Sequence, residues 1–335
     1  MPQPQELLTA LQIGDVEWGD DPWRGVCPDS PIPVKTTAGG IKDALLPCKN
    51  SRVLYTFPMV NRRQFLFTSA TLAAGPLAAG YLSGRVSLAV KYHMIEKPTL
   101  SVVEKFRLLQ EIGFDGTELK SDEKIDHAEV EKAIESTGLP VHGIVNAGKP
   151  EIIPALELAK QFGCSSVLTF AQTDPKKDYD QNFTEWQGRI RKALPYAERF
   201  GIPLCVENVR ASFLNRAEAM ARFIDSFDSP LVKSYFDLGN TITWSEQPAE
   251  HWAKTLGSRI GKLDIKDRGH TEFGEVKTKR EGVIGTNGGE VHWERVRKHL
   301  ETIEFSGWAT AEVAGGDRTR LLRMKEWMED VLDLP

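Results

Sequence analysis

The run Pro203-Leu204-Cys205-Val206-Glu207-Asn208 is short and apolar, and it ends abruptly in a carboxylate and a carboxamide. An apolar run of this length bounded by Gly and Pro reads as a buried parallel strand. In α/β folds the polar groups at the C-terminal ends of such strands sit where ligands bind. The arrangement recurs downstream in Tyr235-Phe236-Asp237, in Lys262-Leu263-Asp264-Ile265-Lys266-Asp267 and in Ala309-Thr310-Ala311-Glu312. One strand-end acid is ordinarily a cap or a surface charge. A converging set of Glu207, Asp237, Asp264 or Asp267, and Glu312 is different, because carboxylates crowded in a low-dielectric pocket repel strongly unless protons or a cation intervene. A divalent metal is the simplest resolution, and oxygen donors favour Mg²⁺ or Mn²⁺ over soft-ligand chemistry.

Convergence requires elements that bring strand ends together. From Val86 onward the pattern is regular, with strands expected at Val86–Lys91, Gly116–Leu119, Pro140–Val145, Ser165–Phe170, Leu204–Asn208, Val232–Asp237, Gly261–Lys266 and Gly307–Val313. Helical spacing fills the intervals, as in Leu100–Ile112, Ile125–Thr137, Pro150–Phe162, Arg216–Phe227, Ala249–Leu256, Val291–Ile303 and Arg318–Leu332. Eight strand-then-helix units over residues 86–335 predict a (β/α)8 TIM barrel. Gly113-Phe114, Gly138-Leu139 and Gly201-Ile202 fit helix C-caps feeding inner strands. A doubly wound open sheet would want a Gly-rich phosphate turn after the first strand, and Lys91-Tyr92-His93-Met94 is not one.

The 335 residues suffice for one barrel. Hydrophobic residues at 41% and charged residues at 27% describe a globular protein. A net charge of −5 argues against a large nucleic-acid surface. The four cysteines, Cys27, Cys48, Cys164 and Cys205, show neither zinc-knuckle spacing nor a disulfide framework. Residues 1–58 carry little periodicity and are expected to be an irregular extension. Within 59–85, Asn61-Arg62-Arg63-Gln64-Phe65-Leu66 followed by a weakly apolar Ala/Gly/Leu segment resembles a twin-arginine export signal. That reading predicts an exported, periplasmic protein, against the plainer reading of a basic helix start on a cytoplasmic one, and the apolar stretch is too short for stable membrane insertion.

The chain from about Ser87 to Pro335 resembles the sugar phosphate isomerase/epimerase, or xylose isomerase-like TIM-barrel, superfamily. The motifs that carry the resemblance are Gly113-Phe114-Asp115-Gly116-Thr117-Glu118-Leu119, Val206-Glu207-Asn208-Val209, Phe236-Asp237-Leu238-Gly239-Asn240, Lys262-Leu263-Asp264-Ile265-Lys266-Asp267 and Gly307-Trp308-Ala309-Thr310-Ala311-Glu312-Val313. The resemblance implies one divalent metal on Glu207, Asp237, Asp264 and Glu312, with Mn²⁺ or Mg²⁺ first and Co²⁺ or Zn²⁺ as alternatives. Asp264 departs from the family pattern, which has a histidine there; a shorter and charged ligand hardens the site toward Mg²⁺ or Mn²⁺, or weakens metal binding. The resemblance also implies that Glu207 and Glu312 are catalytic. One removes a proton next to a ketose carbonyl and the other returns one on the opposite face, through a metal-stabilised enediolate.

The remaining candidates concern a small-molecule sugar substrate. Glu118 at the end of strand two, His142 in strand three, Asn208 after Glu207, Lys266 in phase with Asp264, and Trp244 after strand six are expected to contact it. Each has a plainer reading as strand-end polarity, a satisfied interior histidine or an oligomer contact, and the same holds for His93 and Trp186. His270 is a candidate for the missing histidine ligand. The expected activity is a metal-dependent isomerase or epimerase of a sugar or keto-sugar, in a homodimer or homotetramer. Its rivals are a dehydratase or lyase on keto-glycosides or cyclitols using the same enolate chemistry, and a non-catalytic carbohydrate-binding barrel. An apurinic endonuclease would need a histidine-rich multi-zinc site and a basic face, which this acidic chain lacks.

Overall fold

The computed structural model describes residues 45–48, 51–54, 82, 85–245, 247–274, 278 and 285–335. The chain divides into two units, Met1–Ala74 and Gly75–Pro335. In the first, within the stretch expected to be irregular, Leu45–Cys48 pairs antiparallel with Ser51–Leu54. The twin-arginine segment lies outside the described residues apart from Leu82 and Arg85. Among the described residues no helix is long and apolar enough to cross a membrane.

In the second unit eight parallel strands close into a barrel in chain order. They are β1 (Val86–Lys91), β2 (Gly116–Lys120), β3 (Val141–Val145), β4 (Val167–Thr169), β5 (Leu204–Glu207), β6 (Val232–Asp237), β7 (Ile260–Ile265) and β8 (Gly307–Ala311). Closure is made by β8 on β1, with Gly307 opposite Val86 and Ala311 opposite Val90. The fold is the (β/α)8 barrel that the alternation predicts, and the strand bounds agree within two residues.

The helices are α1 (Val102–Ile112), α2 (His127–Thr137), α3 (Ile153–Phe162), α4 (Tyr179–Phe200), α5 (Ala217–Asp225), α6 (Leu238–Trp244), α7 (Ala249–Leu256), α8 (Trp293–Thr302) and α9 (Arg318–Leu332). Their ends are specified locally. Ser101 opens α1 with a capping box to Glu104, and Asp178 opens α4 with one to Gln181. Gly201 closes α4 at φ +69°, a left-handed turn that costs other residues about 1 kcal/mol or more, and delivers the chain into β5. The apolar stripe of each helix packs on the outer face of the strands; Phe106, Leu109, Phe223, Trp252, Trp293 and Met324 are almost fully buried there.

One helix is absent from the pattern reading. The seven-residue α6 starts immediately after β6, with Asp237 as its N-cap: Asn240 N donates to Asp237 Oδ1 at 2.8 Å. A helix this short shows no periodicity, so only the cap residue announces it.

Candidate metal centre

Because the strands are parallel, their C-terminal ends share one rim. Glu207 ends β5, Asp237 ends β6, Asp264 is the penultimate residue of β7 and Glu312 follows β8. Each offers a carboxylate oxygen such that all four atoms lie within 4.8 Å of one another. Glu207, Asp237 and Asp264 are buried, and the Glu312 side chain is 33% exposed. The acids singled out from the sequence therefore meet.

Two lysines enter the same cluster. Lys91, the last residue of β1, donates to Asp264 Oδ2 at 3.0 Å and to Glu312 Oε1 at 2.5 Å. Lys266 donates to Glu312 Oε2 at 2.7 Å and lies 2.8 Å from Asp237 Oδ2. Both ammoniums are buried. Lys266 was expected at the site from its phase with Asp264. Lys91 was not flagged; a lysine ending an otherwise apolar strand was the only signal.

Charge and burial divide the acids. Burial, reinforced by Glu312, pushes Glu207 well above the usual carboxylate range. Burial does the same to Asp264 against the opposing pull of Lys91, and it raises Asp237 to about 7 against Lys266. Burial would also raise Glu312, but Lys91 and Lys266 together hold it well below its ordinary value. Those same acids hold Lys91 protonated despite its burial.

The residues fit a hard divalent cation. Among the described residues four carboxylates stand against two ammoniums; fully ionised they would leave two negative charges, the complement of one such ion, and without it the raised proton affinities of Glu207, Asp237 and Asp264 let protons take that place. Among the described residues Asp264 Oδ1 is buried with no hydrogen-bond partner, which is costly for an acceptor unless something positive completes it. Glu207 has among them one long contact, with Asn240 Nδ2 donating to Oε1 at 3.4 Å. The all-oxygen donor set favours Mg²⁺ or Mn²⁺.

The two β7 acids differ in their partners, and those of Asp267 lie in the following loop. Asp267 Oδ1 accepts from Arg268 N, Glu290 N and Val291 N at 2.6, 2.9 and 3.0 Å, and its Oδ2 from Trp293 Nε1 at 3.0 Å. Asp267 thus organises the loop leading to α8 and stands outside the acid group. His270 likewise is not among the grouped ligands: its Nδ1 accepts from Glu272 N and Phe273 N, and its ring packs on Phe273 and Trp327.

The residues expected to touch substrate fall in different places. Asn208 clamps the end of β6, donating to Asp237 O at 2.8 Å and accepting from Asp237 N at 2.9 Å. Trp244, at the end of α6, stacks under the Arg210 guanidinium and borders a small recess with Asn208 and Asn240. Trp186 donates to Gln172 O and lines a separate cavity of about 260 Å³ with Asp174, Lys177 and Arg189.

Glu118 and His142 lie one layer deeper, inside the barrel, with Tyr235, Lys262 and Thr310. Lys262 Nζ donates to His142 Nδ1 at 2.7 Å and to His142 O at 2.8 Å. Burial and the Lys262 charge keep His142 neutral. Lysine accepts nothing, so His142 Nε2 carries the ring proton and donates to Thr310 Oγ1 at 3.2 Å. Thr310 and Glu118 each lie 3.0 Å from the Tyr235 hydroxyl, so the chain runs from Lys262 to Glu118 with every donor pointing one way. His142 also stacks on Trp308 with ring centroids 4.0 Å apart. Gly143 makes the layer possible, because a Cβ there would stand 2.5 Å from Glu118 Oε1.

Residues 106–331 match the family described as xylose isomerase-like TIM barrel. No curated protein matches the chain. Among solved structures it is similar to 3-keto-D-glucoside 4-epimerase, YcjR, from E. coli at 17% identity, covering 73% of this chain and 98% of that one with TM-score 0.58. It is similar to the IolI protein with a bound zinc atom at 13% identity, covering 73% and 98% with TM-score 0.60. The probable 3-DHS dehydratase AsbF from Bacillus anthracis is similar at 15% identity, covering 72% and 98% with TM-score 0.57.

Proposed function

The chain belongs to the xylose isomerase-like TIM-barrel family, and from that premise we propose that it is a divalent-metal-dependent isomerase or epimerase of a sugar or keto-sugar. The observation that carries this reading is the convergence of four acids, Glu207, Asp237, Asp264 and Glu312, on only two ammoniums among the described residues, with Asp264 Oδ1 buried and unpartnered there. These four residues would hold one Mn²⁺ or Mg²⁺. When bound, the ion supplies electrophilic stabilisation of negative charge on a substrate oxygen next to the reacting carbon.

The chain's own residues take the protons. Glu207 is buried, has no cationic partner within hydrogen-bond distance among the described residues and has its proton affinity raised, so it is suited to remove the proton beside a carbonyl. Glu312 faces partly to solvent and is held ionised by two ammoniums, so it would return the proton on the opposite face as a relay from water, with Lys91 and Lys266 fixing its two oxygens. Asn208 fixes the end of β6 and with it Asp237. Trp244 offers an aromatic face beside the recess for a sugar ring.

The test is exchange of a substrate C–H with solvent deuterium, on a panel of free ketoses and keto-glycosides, by the Mn²⁺-supplemented protein beside Glu207→Gln. Deuterium in a product of unchanged mass apart from the label, lost in the variant, supports the epimerase reading. Loss of water or an alcohol from the substrate would replace it with the dehydratase or lyase reading. Binding without exchange would leave a carbohydrate-binding barrel.

A further inference from the structure

Lys91 is an expensive residue in its position. It ends β1 at 2% exposure, after Val86-Ser87-Leu88-Ala89-Val90, whose residues are otherwise buried or half-buried. Taking an ammonium out of water costs several kcal/mol before its partners offset the loss. An apolar side chain would close the strand equally well.

Its partners show what the ammonium does there. Lys91 Nζ holds one oxygen of Asp264 and one of Glu312, two of the four acids of the proposed centre. By engaging Asp264 Oδ2 it fixes the carboxylate with Oδ1 left open, the oxygen that has no partner. A carboxylate has lone pairs to share between an ammonium and a metal, so Lys91 need not leave when an ion arrives. Two cations in one buried cluster nevertheless repel: for an ammonium and a divalent ion about 5 Å apart at an effective dielectric near 20 the bare repulsion corresponds to roughly 10⁵-fold in affinity, so even a small part of it exceeds about tenfold.

We propose that Lys91 is a resident counter-cation: it holds Asp264 and Glu312 in place while no divalent ion is bound, and it weakens the site's grip on that ion so that the metal exchanges. This rests on the metal reading above. Lys91 is a positioning residue in this role, and it acts through Asp264 and Glu312.

The experiment titrates Mn²⁺ alone into dialysed full-length protein by calorimetry, for wild type, Lys91→Met and Lys91→Gln, and follows thermal unfolding of each with and without Mn²⁺. The expected result is a lower melting temperature for both variants without metal, a larger upward shift on adding Mn²⁺ than wild type shows, and an affinity for Mn²⁺ at least about tenfold tighter. Variants that fold only with Mn²⁺ present would support the proposal in the same way. Wild type that binds Mn²⁺ beside folded variants that bind it equally or more weakly would overturn it while leaving the metal reading intact. Variants that fail to fold even with Mn²⁺ would overturn it too, because Lys91 would then be a structural requirement independent of the ion. Failure of wild type and variants alike to bind Mn²⁺ would remove both readings.

Discussion

The rim of the barrel and the layer beneath it are both polar and, apart from Glu312 at the rim, both buried, yet they are built to opposite specifications. In the deeper layer one acid, Glu118, faces one ammonium, Lys262, at 4.0 Å, with neutral His142, Thr310 and Tyr235 linking them in a single directed chain. At the rim four acids face two ammoniums, and Asp264 Oδ1 has no partner. Glu118 Oε2 also lacks a hydrogen bond, so satisfaction alone does not separate the two layers. Charge balance does. A neutral buried network specifies a structure, whereas a buried network short of two positive charges specifies a ligand.

Substitutions can break that contrast from either side. The largest effect is expected at the rim: Glu312→Gln removes the charged acceptor shared by Lys91 and Lys266 and lowers turnover by about 10²–10⁴-fold, read as the rate of solvent deuterium entering product, an effect that outweighs the accompanying fall in melting temperature. In the deeper layer the order reverses. Lys262→Met strands Glu118 without its counterion and is expected to cost about 3–5 kcal/mol in urea unfolding, with one Mn²⁺ still bound per folded chain. Gly143→Ala forces a methyl against Glu118 Oε1 and should cost about 1–3 kcal/mol, again without loss of Mn²⁺. Equal loss of metal from the deeper-layer variants would erase the distinction between the layers.

The smallest effect sharpens the contrast through pH. Asp237 binds its proton up to about pH 7 in the folded chain, against an ordinary 3.8, and Glu207 and Asp264 are shifted upward in the same sense. The folded state thus holds more protons than the unfolded one across that window, so stability falls as pH rises through it. Glu312 is shifted the other way; its contribution is complete above its ordinary range and is lost only on the acid side. Dialysed protein should therefore melt higher at about pH 5.5 than at about pH 8. Saturating Mn²⁺ should remove the difference by replacing the protons. An unchanged pH dependence with Mn²⁺ would separate the titrating acids from the cation.

Much of this was legible in the sequence, for identifiable reasons. The strands are short apolar runs behind helix-closing glycines such as Gly201, so their count and order follow from pattern. Acids at strand ends declare the rim because parallel strands in a barrel share a direction. Asp264 and Asp267 could not be told apart, since the deciding partners of Asp267 are backbone N–H groups of Glu290 and Val291, more than twenty residues on. Lys91 and Lys262 were hidden for a different reason. A lysine in a strand ordinarily extends its stem toward water, and only ring closure turns these two inward. Lys262 shares the phase of Asp264 and Lys266, which is the signal that could have found it.

The contact between Lys91 and Glu312 joins positions 221 residues apart, across the seam where β8 meets β1. All four acids stand on or just after β5, β6, β7 and β8, neighbours that can assemble on an open ribbon of strands. Lys91 alone comes from beyond the seam, and it reaches Asp264 and Glu312 only when the ring is shut. The seam is therefore a clasp held by a lysine. Whatever free energy that lysine takes from the grip on an ion, a bound ion would take from the seam in equal measure, so resistance to prying β8 away from β1 would fall as metal is supplied.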